Sequence, residues 1–465
     1  MNFIGVNELY NNQQFQCMKT GTAYGKLIFI DIENEFLSVT KNDILVLNNL
    51  PNNLPLCAAS ITTAYQTPLC HINILAQSRN TPNCVMKNAF VNDALLKYKN
   101  KYVSLKITED TFFIKTVLRQ AVFDFNHKRK YKNISQLFCD EKIKKIIPIG
   151  ALGFKDVNIV GGKAANMGEL QKIKTVSKIK IPTPENCFAI PFYFYKEYIR
   201  NNRIDSLVEE LPTIDDDLLL QEQLKKIRQA IEGGEINADL IAKIKAKIGA
   251  DSLQNFRFRS STNAEDIVGF NGAGLYDSKT GTLKNGTKKT VEKAIKEVWS
   301  SLWKWRAFVE RRYYGIDQTN LAMGILVNRG FGTEEANGVA VTKNLYRDNY
   351  PSFTINVQKG EVSVVQPNDS IIAEQFVVNY QGTTHDNDSD ISVDYICHSS
   401  LQPYEPILSE KETKLLCEYL LAIKKHYWNK YANKQKVTFD NFAMDVEFKL
   451  EKDTRKIVIK QARFY

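Results

Sequence analysis

Two periods of apolar residues divide this chain. Up to residue 117 the apolar runs are short and β-rich. Leu27-Ile28-Phe29-Ile30, Asp43-Ile44-Leu45-Val46-Leu47, Tyr102 to Ile107 and Phe112-Phe113-Ile114 each stand between polar breaks. Between them, His71 to Arg79 predicts one helix. From Phe125 to Lys145 the chain turns basic, and residues 118–145 are assigned as a linker or hinge. Beyond Ile146, helices and strands mix, which predicts one large domain of two lobes divided near residue 330. Leu220, Leu224, Ile227 and Ile231 fall at helical spacing before Gly233-Gly234. Val291, Ile295, Val298, Leu302 and Trp305 predict a helix from Thr290 to Tyr314, and Leu416, Leu420, Ile423 and Tyr427 another from Glu410 to Tyr431. The expected fold class is α/β, mixed α+β, with a small first domain (1–117), a basic hinge (118–145) and a two-lobed domain (146–465).

The clearest alternation lies at the end of the chain. Phe442, Met444, Val446, Phe448 and Leu450 share one strand face, and Asp445 and Glu447 share the other. A polar turn from Glu451 to Lys456 leads into Ile457 to Arg463. Pairing symmetric about Thr454 sets Gln461 opposite Glu447 and Arg463 opposite Asp445. Two carboxylates spaced this way suit Mg²⁺ bridging nucleotide phosphates. They also suit a solvent-facing acidic edge paired with arginine.

Composition narrows the field without choosing a function. The 465 residues, 43% hydrophobic and 25% charged, exclude disordered and fibrous classes and allow about three units. Met1 to Gln16 lacks the pattern of a signal peptide, and no apolar run approaches the ~20 residues that span a bilayer. The eight scattered cysteines predict reduced thiols in a cytoplasmic protein, and the histidines lie far from any paired cysteines, which argues against zinc. The acidic stretch 382–390 lacks EF-hand spacing and is assigned as a solvated loop. A net charge of +10 admits an anionic partner. No aromatic-plus-basic surface motif favours nucleic acid.

Three further segments carry candidate chemistry. In VGGKAANMGEL, residues 160–170, two glycines enter a helical run beside Lys163, which places free backbone N–H groups where an anion is stabilised. It is not the GxxxxGKS/T phosphate loop. In FRFRSSTNAED, residues 256–266, a strand delivers Arg259 to a polar turn, and Gly272-Ala273-Gly274 follow closely. Arginine forks and glycine amides are standard holders of phosphate oxygens. In TPLCHINILAQSRNTP, residues 67–82, His71 stands at a helix start, where the macrodipole would stabilise a phosphoimidazole. A neutral imidazole is a competent nucleophile toward phosphorus. Each segment alone also has an ordinary structural reading.

Together these landmarks resemble the phosphoenolpyruvate-utilising dikinase superfamily, which includes pyruvate phosphate dikinase, phosphoenolpyruvate synthase and glucan water dikinase. Residues 146–465 resemble its two-lobed ATP-grasp-type nucleotide-binding domain. GTAYGKL, NDILVL and TPLCHINILAQSRNTP resemble its phosphohistidine swivelling domain, in which some phosphoenolpyruvate synthases also carry a cysteine before the histidine. The resemblance implies ATP and Mg²⁺. It has His71 take the β-phosphoryl group while AMP and phosphate leave, and it has Lys163 and Arg259 bind and polarise the phosphates. Gly272, Ala273 and Gly274 would close over the polyphosphate. Asp445 and Glu447 would hold Mg²⁺ beside Gln461 and Arg463. Arg306 is expected to face phosphate and Glu361 to contact the nucleotide. The histidine domain comes first here, as in glucan water dikinase and unlike pyruvate phosphate dikinase. A pyruvate- or phosphoenolpyruvate-binding barrel would need ~250 further residues. The barrel is expected on a separate partner chain, or this chain is expected to be part of a longer or split enzyme. The alternatives are a complete dikinase acting on another acceptor such as a glucan, and a non-catalytic ATP-binding regulator.

Overall fold

The structure is a computed structural model that describes residues 13–32, 39–51, 54–128, 136–214, 216–249, 255–265, 270, 272, 274–284, 286–330, 334–347, 350–361, 364, 371–380, 391–432 and 436–465. The acidic stretch 382–390 lies outside them, as does Ala273.

The N-terminal sheet contains β1 (Phe15–Lys19), β2 (Gly21–Ile30), β3 (Asp43–Leu47), β4 (Ala59–Thr62), β5 (Asn83–Met86), β6 (Tyr102–Ile107) and β7 (Phe112–Thr116), in the order β1-β5-β4-β3-β2-β6-β7. The contiguous strands β2, β3, β4 and β5 pair in parallel. Every residue of β3 and β4 is buried, as parallel strands covered on both faces require. One cover is helix α1 (His71–Ser78), whose Ile72, Leu75 and Ala76 pack with Leu45 and Leu47.

Residues 119–128 correct the expected hinge. They form helix α2 (Arg119–Lys128), which folds back on the N-terminal sheet. Val122 is buried, Phe125 stacks on Tyr24 with ring centroids 4.3 Å apart, and Asn126 donates to the Tyr24 carbonyl at 3.2 Å. Two apolar anchors within a basic stretch suffice to seat one helical face.

The second sheet is β11-β10-β12-β9-β8, built from β8 (Ile147–Pro148), β9 (Phe188–Ile190), β10 (Asn255–Thr262), β11 (Ser278–Thr282) and β12 (Met323–Arg329). The third is β16-β15-β14-β13-β17-β18, from β13 (Glu334–Val341), β14 (Ser352–Lys359), β15 (Glu374–Tyr380), β16 (Ile391–Cys397), β17 (Met444–Glu451) and β18 (Ile457–Phe464). Every pairing in the third sheet is antiparallel.

The helices around these sheets include α3 (Gly162–Leu170), α4 (Asp217–Gly233), α5 (Val291–Ser300), α6 (Trp305–Tyr313) and α7 (Glu410–Tyr427). Asp216 caps α4 by accepting from the amides of Leu218 and Leu219, and α7 opens with a Ser409–Glu412 capping box. The helix expected from Thr290 to Tyr314 is two helices. A 3₁₀ turn at Ser301–Trp303 and an extended Lys304 (ψ 140°) separate α5 from α6. The break lets Trp299 and Trp303 both bury, and the Trp303 indole donates to the Tyr195 hydroxyl at 2.9 Å. The last expected helix ends at Tyr427 and passes into a π turn, Trp428–Ala432.

Glu169, near the end of α3, ties that helix to α7 and the turn after it. Its buried carboxylate accepts from His426 at 2.7 Å and from Lys430, with Lys172 at 3.3 Å. Burial alone would raise its pKa. The hydrogen bonds from Lys430 and His426 and the charge of Lys172 outweigh burial and hold it at about 2. A carboxylate depressed in the folded state contributes stability that is complete above the unfolded-state value near 4.5 and is lost as pH falls toward about 2. Glu169→Gln is expected to lower stability by about 2 kcal/mol at pH 7, the scale of hydrogen bonds to charged groups. In urea titrations the deficit should shrink at pH 3; an equal deficit at both values would show that the charge plays no part.

Candidate active site

The site is built from α3, β10 and the β17–β18 hairpin. Gly161 precedes α3 with φ +84°, and a Cβ there would lie 2.2 Å from the Ser261 carbonyl oxygen. Only glycine permits this approach. It brings the start of α3 onto β10, where Ser261 Oγ accepts from the Ala164 amide at 3.0 Å. Lys163, on the first turn, then reaches Glu265 at 2.6 Å and donates to Ser260 Oγ at 3.3 Å.

Asp445 lies opposite Arg463 and Glu447 opposite Gln461 as expected, but nearer the turn Phe448 pairs with Ile459, one residue off symmetry about Thr454, and a bulge between Glu447 and Phe448 makes up the difference. Arg463 donates to Asp445 Oδ2 from Nε at 2.8 Å and from Nη2 at 2.6 Å. Asp445 Oδ1 is buried without a hydrogen-bond partner among the described residues. At Asp445 the strand does not face solvent, for that residue is 4% exposed, while Glu447 is half-buried.

Arg259 joins the second sheet to the third. Its Nη1 donates to the Lys460 carbonyl at 2.9 Å and its Nη2 to Gln461 Oε1 at 2.8 Å, with Glu447 Oε2 at 3.6 Å. The two carboxylates are driven apart electrostatically. Burial, aided by the Glu447 charge, pushes Asp445 above the usual carboxylate range against the pull of Arg463. Burial would raise Glu447 too, but the charges of Arg259, Lys460, Arg463 and Lys163 hold it below its ordinary value.

Lys163, Arg259, Asp445, Glu447, Gln461 and Arg463 are thus brought together. Gly272 lies close by, because a Cβ on it would come within 3.1 Å of the Ala264 carbonyl, and Gly274 follows with φ +71°. Arg306 and Glu361 make no hydrogen bond or ion pair to the cluster among the described residues. Arg306 pairs instead with Glu310 at 3.1 Å, and Glu361 sits exposed in the turn after β14. Sequence reasoning assigned no role to Glu265, Lys460 or Glu310. Glu265 and Lys460 stood inside quoted segments; Glu310 carried no local signal.

His71 is the first residue of α1, after the extended N-cap Cys70. The loop leading to it is fixed by buried hydrogen bonds, in which Gln66 donates to Thr62 Oγ1 and Asn83 Oδ1, each at 3.0 Å. Leu69, fully buried, packs in one cluster with Val339, Val341, Val364, Ala373 and Ala443. Val339 pairs with Glu447 and Val341 with Asp445 across β13 and β17. Directly opposite residues share a sheet face. The loop carrying His71 therefore rests on the sheet face that bears the two carboxylates.

Such a face, with clustered cations and a glycine-bounded helix start, has the chemistry that holding phosphate requires. The family model described as pyruvate phosphate dikinase, AMP/ATP-binding domain, matches residues 157–464. The chain belongs to that family, within the phosphoenolpyruvate-utilising dikinases. It is 27% identical over 345 residues to a probable phosphoenolpyruvate synthase of Methanocaldococcus jannaschii, covering 70% of this chain and 27% of that protein. It is 25% identical over 251 residues to the phosphoenolpyruvate synthase of Pyrococcus furiosus (45% and 29%). It is 26% identical over 206 residues to the rifampicin phosphotransferase of Bacillus cereus (43% and 23%). The chain thus spans less than a third of the length of these relatives. Among the described residues, no helix is long and apolar enough to cross a membrane.

The residues present fit a divalent cation shared with phosphates. Asp445 Oδ1 is buried and unpartnered, and two carboxylates leave further positions to phosphate and water. No group of three or more His, Cys, Asp or Glu residues among the described residues forms an all-protein metal cage. Gly161→Ala would drive a methyl into the Ser261 carbonyl. Its expected effect is at least a tenfold loss of affinity for a non-hydrolysable ATP analogue in calorimetry, about 1.4 kcal/mol. Unchanged affinity would remove the α3 entry from the site.

Proposed function

We propose that this protein is an ATP-dependent phosphotransferase of dikinase type, which loads the β-phosphoryl group of ATP onto His71 and releases AMP and phosphate. The single observation that carries the reading is the seat of the His71 loop: Leu69 packs on Val339 and Val341, directly across β13 from Glu447 and Asp445. In this reading residues 1–117 are a phosphohistidine swivelling domain. Residues 146–465 are an ATP-grasp-type domain whose second and third sheets are its two lobes.

ATP lies between the lobes. Lys163 and Arg259 bind and polarise its phosphates, the Gly272–Gly274 loop covers them, and Gln461 and Arg463 orient the carboxylate pair. Glu361, in the turn after β14, and Arg306, on α6, are secondary nucleotide contacts. Mg²⁺ held by Asp445 and Glu447 would neutralise phosphate charge. The unprotonated nitrogen of the neutral His71 imidazole attacks the β-phosphorus, the bond between the α- and β-phosphoryl groups breaks with AMP keeping the electron pair, and the other ring nitrogen then loses its proton. The γ-phosphoryl ends on water or phosphate. Positioning and charge neutralisation supply most of the acceleration in such transfers. The loaded domain then carries its phosphoryl group to pyruvate or a related small acceptor, bound by a barrel outside residues 1–465, on another chain or in a longer protein. The much greater length of the phosphoenolpyruvate synthases supports that division.

Incubation with Mg²⁺ and ATP labelled in the β-phosphate is expected to leave acid-labile label on the protein. His71→Ala should take up none while still binding ATP. Lys163→Met and Asp445→Asn should each slow uptake at least a hundredfold, about 2.7 kcal/mol of barrier. Intact ATP binding with no label on the wild type would favour a non-catalytic regulator, and ADP rather than AMP as product would end the dikinase assignment.

A further inference from the structure

A second charged group joins the two modules away from the cluster at Arg259. Glu310 of α6 is 1% exposed, and its Oε1 accepts from Arg79 Nη2 at 2.6 Å and from Arg306 Nε at 3.1 Å. Arg79 follows α1 directly, eight residues after His71, so it belongs to the N-terminal module. It is itself buried, and its Nη1 donates to the Leu54 carbonyl at 2.7 Å. Arg306 stands one turn before Glu310 on the same helix. Its Nη2 is buried without a hydrogen-bond acceptor among the described residues. The group adjoins the Gly-rich loop: the Tyr276 hydroxyl at the loop's end accepts from Arg311, the neighbour of Glu310, and donates to the Ala264 carbonyl beside Glu265.

Two guanidiniums thus divide one buried carboxylate oxygen, one from each module. We propose that Arg79 is a positioning residue for the loading of His71: its ion pair with Glu310 keeps α1 docked on the nucleotide-binding domain, and Arg306 adjusts that hold by competing for Glu310. The inference rests on the proposed phosphorylation of His71 by ATP. When polyphosphate lies under the Gly-rich loop, the unsatisfied Nη2 of Arg306 is drawn toward negative charge. Glu310 is then left to Arg79, and docking tightens. Once the phosphates leave, Arg306 returns to Glu310 and the hold of Arg79 loosens. The docking of the histidine-bearing module is in this way coupled to the charge on the nucleotide.

The test uses the full chain with Arg79→Met, Glu310→Met, the double variant, Arg79→Lys and Arg306→Met. Fluorescent labels on exposed surface positions of the two modules report docking by energy transfer. Arg79→Met and Glu310→Met should each lower the initial rate of β-label uptake at least tenfold, with affinity for a non-hydrolysable ATP analogue within twofold of wild type. The double variant should lose less than the product of the two single losses, because each single substitution already removes the shared ion pair. Arg79→Lys should keep part of the energy transfer. In the wild type, transfer should rise when the analogue is added; in Arg306→Met that rise should be absent. Wild-type loading in Arg79→Met, or single losses that simply multiply in the double variant, overturns the positioning role. An unchanging signal in wild type overturns the coupling through Arg306. If the wild type takes up no label, the functional reading has failed. The energy-transfer arm still decides the ion pair, which is overturned if Arg79→Met stays docked. Should Arg79→Met fail to fold, Arg79→Lys and Glu310→Met carry the same comparison.

Discussion

The guanidinium of Arg259 is the constraint on which the site depends. It rises from β10 in one sheet and is held by a backbone carbonyl and a side-chain amide of β18 in another. Those bonds fix Gln461, and through the hairpin pairing they fix Glu447 and Asp445 beside Arg259. The resulting charge count is uneven. Lys163, Arg259, Lys460 and Arg463 face Glu265, Asp445 and Glu447 in a half-dry space, with one carboxylate oxygen of Asp445 unpartnered. A surplus of cations in low dielectric opposes folding. A polyanion that arrives with its own cation satisfies both the surplus and the orphaned oxygen. Binding of such a ligand stabilises the folded state by mass action. The same preorganised charge that raises affinity is what transfer of a phosphoryl group requires.

Much of this was legible because it is local. The two carboxylate pairs of the hairpin followed from strict alternation, although the bulge between Glu447 and Phe448 that sets them left no mark in the pattern, and the strands Asp43–Leu47 and Tyr102–Ile107 followed from short β-branched runs. The capped, amphipathic α4 ended where its paired glycines stopped it. The joining of α3 to β10 was half legible: the glycines announced a helix entry, but that Gly161 must lie against Ser261 is a contact across a hundred residues of chain. The break at Lys304 was illegible for a related reason. Apolar spacing continues through it, and only the packing of Trp299, Trp303 and Tyr195 shows why one straight helix would leave an indole unburied. Residues 119–128 misled because a basic stretch reads as a solvated linker, although Val122 and Phe125 anchor one face.

The contact between the modules has the physical character that reversible docking needs. Among the described residues its apolar part is one small cluster around Leu69, and beneath it the sheet face is polar: Thr354, Asn356 and Gln358 are buried on β14, and Asn356 approaches Thr67 at 3.5 Å. A broad hydrophobic seam would hold the modules permanently, as obligate interfaces do. A small apolar key over polar ground leaves orientation to directional contacts, among them Arg79 with Glu310 and Lys41 over the Tyr313 ring. The strength of the Arg79–Glu310 pair is unusually sensitive to neighbouring charge, because both groups are dry and both depend on one oxygen shared with Arg306. An interface held by shape alone would be indifferent to what lies in the cleft. One held by a divided carboxylate cannot be. The charge in the cleft therefore reaches the docking contact through Arg306, a side chain that belongs to the nucleotide-binding domain and pairs with the same residue that grips α1.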